Sequence, residues 1–170
     1  NDRDMGYVLG KPRIVRMKTS APSATTTTYR WFAMVPAGVN NYVKKDASDD
    51  NFSRTGAPTI FLLALDKPAG TEWTSTGSSP NYYKITLPFD AATAVNNPTG
   101  VLNLEAYMNG NGVTEYVYAG DLHGRVWALD FTAFGTEGWT AGQLSRFNTG
   151  SAGLLTAYPM FIARDSEGAF

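Results

Sequence analysis

Residues 115 to 131 read Glu115-Tyr116-Val117-Tyr118-Ala119-Gly120-Asp121-Leu122-His123-Gly124-Arg125-Val126-Trp127-Ala128-Leu129-Asp130-Phe131. Tyr116 to Tyr118 is an aromatic and β-branched run that favours a strand. Asp121 to Gly124 carries turn chemistry, with Gly124 free to take the positive φ a tight hairpin often needs. Val126, Trp127 and Leu129 resume the apolar run, which Asp130 closes. Strand, turn, strand is the reading.

Working outward, brief aromatic or β-branched segments recur between clusters of Gly, Pro, Asn, Thr and Ser. They are Pro12–Met17, Tyr29–Val35, Ile60–Leu65, Tyr82–Leu87, Val101–Glu105, Tyr116–Ala119, Arg125–Leu129 and Tyr158–Ile162. This punctuation predicts a chain of short strands. A short helical turn is expected only over 89–95, bracketed by Pro88 and Pro98. The pattern also repeats. Leu63-Ala64-Leu65-Asp66 precedes Gly70-Thr71-Glu72-Trp73, and Trp127-Ala128-Leu129-Asp130 precedes Gly135-Thr136-Glu137-Gly138-Trp139. The two aspartates stand 64 positions apart and the two tryptophans 66. Two units of about four strands fit propeller blades enlarged by loops. Trp73, Trp127 and Trp139 are expected to pack between neighbouring sheets. Asp66 and Asp130 are expected to accept hydrogen bonds from the turns that follow them. The polar stretch 39–58 reads as an insertion on a hairpin loop of the first unit.

The chain has 170 residues, is 43% hydrophobic and 13% aromatic, and carries a formal net charge of −1. That length can bury a core, and the balanced charge argues against a polyanion partner such as nucleic acid. No apolar run reaches the roughly 18 residues a membrane-spanning helix needs. With no cysteine and one histidine, zinc sites built from Cys and His are excluded, as is a catalytic triad without His123. His123 reads as a solvated turn residue, and no phosphate-binding or dinucleotide glycine fingerprint is present. No catalytic and no cofactor-binding residue is assigned. Starting at Asn1 without a methionine, the sequence looks like part of a longer chain.

The wording Tyr118-Ala119-Gly120-Asp121-Leu122, then Gly124 and Trp127, resembles a blade hairpin of the PilC/PilY family, the large tip-associated proteins of type IV pili. A second similarity covers the approach to the first strand, Asp4 to Val15. The resemblance implies an all-β fold: a partial, quinoprotein-like β-propeller of about two four-stranded antiparallel blades plus the start of a third. Residues 1–170 would be one segment of a larger propeller. Its repeat units would lie at about 11–88 and 99–147, and a third would start at 156–170. The implied function is non-enzymatic: a structural and adhesive module that supports pilus biogenesis and surface attachment. It would sit at the bacterial surface, in the outer membrane or at the pilus tip. Minor pilins and host or abiotic surfaces would be its partners. Alternatives are a fragment of a pyrroloquinoline-quinone dehydrogenase propeller or an outer-membrane scaffold propeller. An isolated two-blade arc would also leave apolar faces bare, so self-association through residues 12–35 and 158–163 is expected.

The family often carries a calcium loop just before this strand. Counting back from Tyr118 places Asn109, Asn111 and Glu115 on ligand positions and Gly112 on the bend, while Tyr107 replaces the first carboxylate. One formal charge remains, and ligand charge sets calcium affinity. The loop therefore reads as a degenerate calcium site, either a metal-free Asn-Gly-Asn-Gly turn or a weak calcium binder. Asp46, Asp49, Asp50 and Asn51 form a second acidic cluster beside Lys44 and Lys45, without metal-ligand spacing. No Arg-Gly-Asp tripeptide occurs.

Overall fold

A computed structural model describes residues 2–39, 55–92, 94, 97–151 and 154–164. The cluster Asp46, Asp49, Asp50 and Asn51 lies outside them, as does most of the 39–58 insertion. Among the described residues, ten strands form two four-stranded antiparallel sheets and one small hairpin. The first sheet is a meander of β1 (Arg13–Lys18), β2 (Tyr29–Pro36), β3 (Thr59–Ala64) and β4 (Tyr82–Thr86) in that spatial order. The second holds β5 (Val101–Met108), β6 (Thr114–Asp121) and β7 (Arg125–Asp130), with a late fourth strand, β10 (Phe161–Ile162), beside β7. Between them in sequence come β8 (Asn148–Thr149) and β9 (Thr156–Ala157).

Each strand follows from its side-chain pattern. In β1, Val15 and Met17 are buried while Ile14 is exposed, the period of two that puts alternate residues on one face. In β3, Thr59-Ile60-Phe61-Leu62 is buried throughout, because both faces of this inner strand are covered. The pairings Val15 with Phe32, Phe32 with Ala64, and Met34 with Leu62 align one apolar face across the sheet. Across the second sheet, Leu104, Ala119 and Trp127 form one row, and Ala106, Val117 and Leu129 the next. These two faces merge into one core.

Trp139 fills the wedge. It is buried, with its ring 5.5 Å from Phe32, 5.0 Å from Tyr83 and 5.9 Å from Phe131, all edge-on. Two partners come from the first sheet and one from the end of β7, so a single indole joins the sheets. A one-turn 3₁₀ helix (Thr136–Gly138) and a short α1 (Ala141–Leu144) present it. Thr140 caps α1 by accepting from the Gln143 N–H at 3.3 Å. Trp127 is buried as expected. Trp73 is not: it lies in the β3–β4 loop, half exposed, with the Lys67 ammonium 5.0 Å from its ring centre. The physical difference is Gly138, an extra residue in the second unit that closes the 3₁₀ turn and swings the following tryptophan inward.

The stretch 158–162 was expected to open a third blade, and here the structure differs. Phe161 and Ile162 pair with Val126 and Arg125, completing the second sheet. The fourth position is filled piecewise. Ser145 bridges Leu129, the chain loops out through β8 and β9, and β10 returns to the other end of β7. A two-residue strand offers too little alternation to be read from sequence. Asp130 accepts from the Thr132 N–H at 2.9 Å and hydroxyl at 2.6 Å, as its turn role requires. The Asp66 carboxylate instead takes the Arg30 guanidinium, at 2.7 and 3.0 Å. In the 89–95 region, Ala94 N–H donates to the Asp90 carbonyl at 3.0 Å, a bond of the helical type.

Candidate functional site

The β6–β7 hairpin is organised around Asp121. Its side chain is fully buried and accepts four hydrogen bonds. The donors are the His123 N–H at 3.0 Å, the Arg125 N–H at 3.1 Å, Arg125 Nε at 2.7 Å and the Trp127 indole N–H at 2.9 Å. A buried carboxylate is costly unless its charge is paired and its lone pairs are used; here both conditions hold. The turn closes with Gly124 at φ 67° and its N–H on the Asp121 carbonyl at 3.2 Å. The spacing Asp, His at +2, Arg at +4, Trp at +6 is thus one hydrogen-bonded unit. Its purpose is to lock the hairpin and aim Trp127 into the core.

His123 sits at the tip, where its Nε2 lies 3.2 Å from the Pro98 carbonyl. It borders a cavity of about 140 Å³ with Asp90, Asn97, Thr99 and Arg125. The residue tethers the turn to the 97–100 segment.

The proposed calcium loop is the β5–β6 turn. Asn109 Oδ1 accepts from the backbone N–H of Asn111 at 2.9 Å and of Val113 at 3.1 Å. Asn109 Nδ2 donates to Glu115 Oε1 at 2.8 Å. Gly112 takes φ 70° and its N–H reaches the Asn109 carbonyl at 2.9 Å. Asn109 and Glu115 are therefore brought together, whereas Asn111 takes part through its backbone, its carbonyl 3.4 Å from Arg16 Nη1. Tyr107, exposed, lies against Tyr116 with ring centres 6.1 Å apart. Calcium takes six to eight oxygens and favours carboxylates. Here one carboxylate is offered, and the best-placed amide oxygen is already engaged with two backbone donors. The donor set does not fit a tight calcium site. Among the described residues, no group of three or more His, Cys, Asp or Glu gathers as metal ligands.

Away from the core, both sheets present apolar surface. The far face of the second sheet carries Tyr107, Tyr118 and Phe161, all exposed. Gly120 lies there in a groove of about 280 Å³, with Arg13, Glu105 and Val126 among its lining residues. On the first sheet, Val35, Ala37 and Phe61 form a small second cluster with Met5, Leu63 and Tyr82.

No family model matches the chain. Over 172 residues it is 26% identical to the Type IV pilus biogenesis factor PilY1 homolog of Xylella fastidiosa, covering 99% of this chain. The crystal structure of the Pseudomonas aeruginosa PilY1 C-terminal domain matches 89% of it, at 17% identity and a TM-score of 0.52. The chain is PilY1-like. The resemblance read from residues 116–130 thus extends along nearly the whole sequence. At this identity the PilY1 crystal structure speaks for the fold, which is all-β with antiparallel sheets. The chain spans 9% of the length of the Xylella PilY1 homolog and 28% of the crystallised PilY1 chain. Among the described residues, no helix is long and apolar enough to cross a membrane.

Proposed function

We propose that this chain is a non-catalytic arc of a β-propeller within a type IV pilus protein, where it supports pilus biogenesis and surface attachment. The observation that carries the reading is the PilY1-like architecture. Two four-stranded antiparallel sheets pack face to face around Trp139, and the second has an exposed apolar far face suited to receive another sheet. A curated relative named as a pilus biogenesis factor supports the pilus connection. The chemistry supports a structural role: Asp121, which accepts four hydrogen bonds, is saturated by its own hairpin, and the His123 ring lies against the Pro98 carbonyl. The same reading places the parent protein at the bacterial surface, in the outer membrane or at the pilus tip, with minor pilins and host or abiotic surfaces as partners. Residues Asn109, Asn111 and Glu115 are a hairpin turn in this reading, at most a weak calcium binder.

The test uses the full-length parent protein in its own bacterium. Asp121→Ala should reduce piliation and surface attachment together, because it unlocks the hairpin without touching any external surface. Normal piliation and attachment, with the altered protein present at normal levels, would overturn the reading.

A further inference from the structure

Trp73 is an anomaly: a half-exposed indole held in a fixed position. Asn81, itself buried, staples the loop on either side of it. Its Oδ1 accepts from the Thr74 N–H at 2.8 Å, and its Nδ2 donates to the Glu72 carbonyl at 2.9 Å. Lys67 lies over the ring at 5.0 Å, its ammonium anchored on the Pro68 and Thr71 carbonyls at 3.1 and 2.5 Å. Fixing a loop costs conformational entropy, and here the tryptophan does not recover it by entering the core.

The indole borders a cleft of about 320 Å³ whose other walls are Asp2, Met5, Phe61, Leu63 and Tyr82. Phe61 and Tyr82 are stacked, with centres 6.3 Å apart and planes 22° from parallel. At the polar end, the Tyr82 hydroxyl donates to Asp2 Oδ2 at 3.0 Å. Lys84 Nζ donates to Asp2 Oδ1 at 3.1 Å and to Asp4 Oδ2 at 2.6 Å. Aromatic walls, an apolar floor and a hydrogen-bonded carboxylate and phenol, with Lys84 bonded to the same carboxylate, together make a preformed site. The cleft opens on the far face of the first sheet, over β3 and β4, with Trp73 reaching it from the loop that joins them.

We propose that this cleft binds a pyranose sugar. A pyranose ring presents weakly positive C–H groups on one face, which an aromatic π face attracts. Its edges carry hydroxyls that donate and accept, which matches a rim holding a carboxylate and a phenol hydroxyl. The volume suits one or two rings. The proposal names the ligand class through which the attachment in the proposed function would run, and to that extent rests on it.

The test is ligand-observed saturation-transfer NMR on the whole chain, with methyl glycosides of glucose, galactose, mannose and N-acetylglucosamine and their disaccharides. Parallel amide and indole spectra of the labelled protein report the site. At least one sugar should receive saturation at its ring C–H protons and shift the Trp73 indole N–H, with affinity on the order of millimolar. Trp73→Ala should weaken binding at least about tenfold with an unchanged spectrum for core residues such as Trp139. Asn81→Ala should weaken it too, without removing any contact. Absence of transfer with every sugar, or transfer that Trp73→Ala leaves unchanged, would overturn the proposal. A shift of the Trp73 indole by an aromatic or proline-rich peptide and by no sugar would overturn it in favour of a peptide site. Each of these failures leaves the piliation result of Asp121→Ala untouched, so the two readings fall separately.

Discussion

Replacing Asp121 by alanine should be among the most damaging single changes in this chain. The substitution removes the acceptor of four hydrogen bonds at once, two from backbone N–H groups, one from a guanidinium and one from an indole. It also leaves Arg125, whose side chain is 16% exposed, with a buried charge and no counterion. Breaking a buried pair from one side costs about 3–5 kcal/mol, against a whole-protein stability of roughly 5–15 kcal/mol. For a chain of this size that corresponds to a melting point lower by about 6–20 °C. Asp121→Asn should cost less, about 2–3 kcal/mol, because one acceptor oxygen survives while the amide N–H₂ faces donors. Adding Arg125→Met to Asp121→Ala should recover part of the loss, since the orphaned charge goes with it. Urea unfolding followed by circular dichroism, with equal slopes required for all variants, gives these differences. A loss under about 1 kcal/mol for Asp121→Ala would show that the hairpin does not depend on this carboxylate, and would refute the reasoning.

Further outcomes follow from other residues. Calorimetry should find no micromolar calcium binding at the Asn109 turn, only dissociation at roughly millimolar or weaker, whereas Tyr107→Asp with Asn111→Asp should strengthen binding if the turn keeps its shape. The hydrogen bonds from Arg30 hold the Asp66 carboxyl below its ordinary range. The stability this adds is present at neutral pH, above the unfolded-state value, and is lost as pH falls through the folded-state value. Asp66→Asn should therefore flatten the acid limb of the stability curve slightly, by well under about 1 kcal/mol for so exposed a pair, and an effect at alkaline pH would contradict the assignment. Because the exposed Tyr118 and Phe161 face outward, the isolated chain should self-associate with rising concentration in light scattering, and a monomer at every concentration would mean those faces need no cover.

The fold was legible where local and cross-strand signals agreed. The expected strands fall within a residue or so of most observed ones, because β-branched runs and glycine turns are short-range features. Asp121 carried a readable signal, a carboxylate with an arginine at +4 and a tryptophan at +6 across a tight turn, yet nothing local distinguishes a buried acceptor from an ordinary turn aspartate. The repeat misled where one residue altered the geometry. Gly70-Thr71-Glu72-Trp73 and Gly135-Thr136-Glu137-Gly138-Trp139 share their letters, but only the second forms the turn that buries its indole. The split fourth strand, Ser145 and Phe161–Ile162, was illegible because its pairing depends on a loop returning across about fifteen residues. Asn81, which fixes Trp73, has no sequence signature apart from its place before β4.

The central claim is that the two sheets form an arc in which the outer face of the second sheet seats a further sheet of the parent protein. Determining the structure of the full-length parent by electron cryomicroscopy tests it directly. The claim predicts another four-stranded antiparallel sheet lying over Tyr118, Gly120 and Phe161, with the Gly120 groove filled by its side chains. Finding that face open to solvent, with residues 13 to 162 standing as a separate two-sheet sandwich, would contradict it.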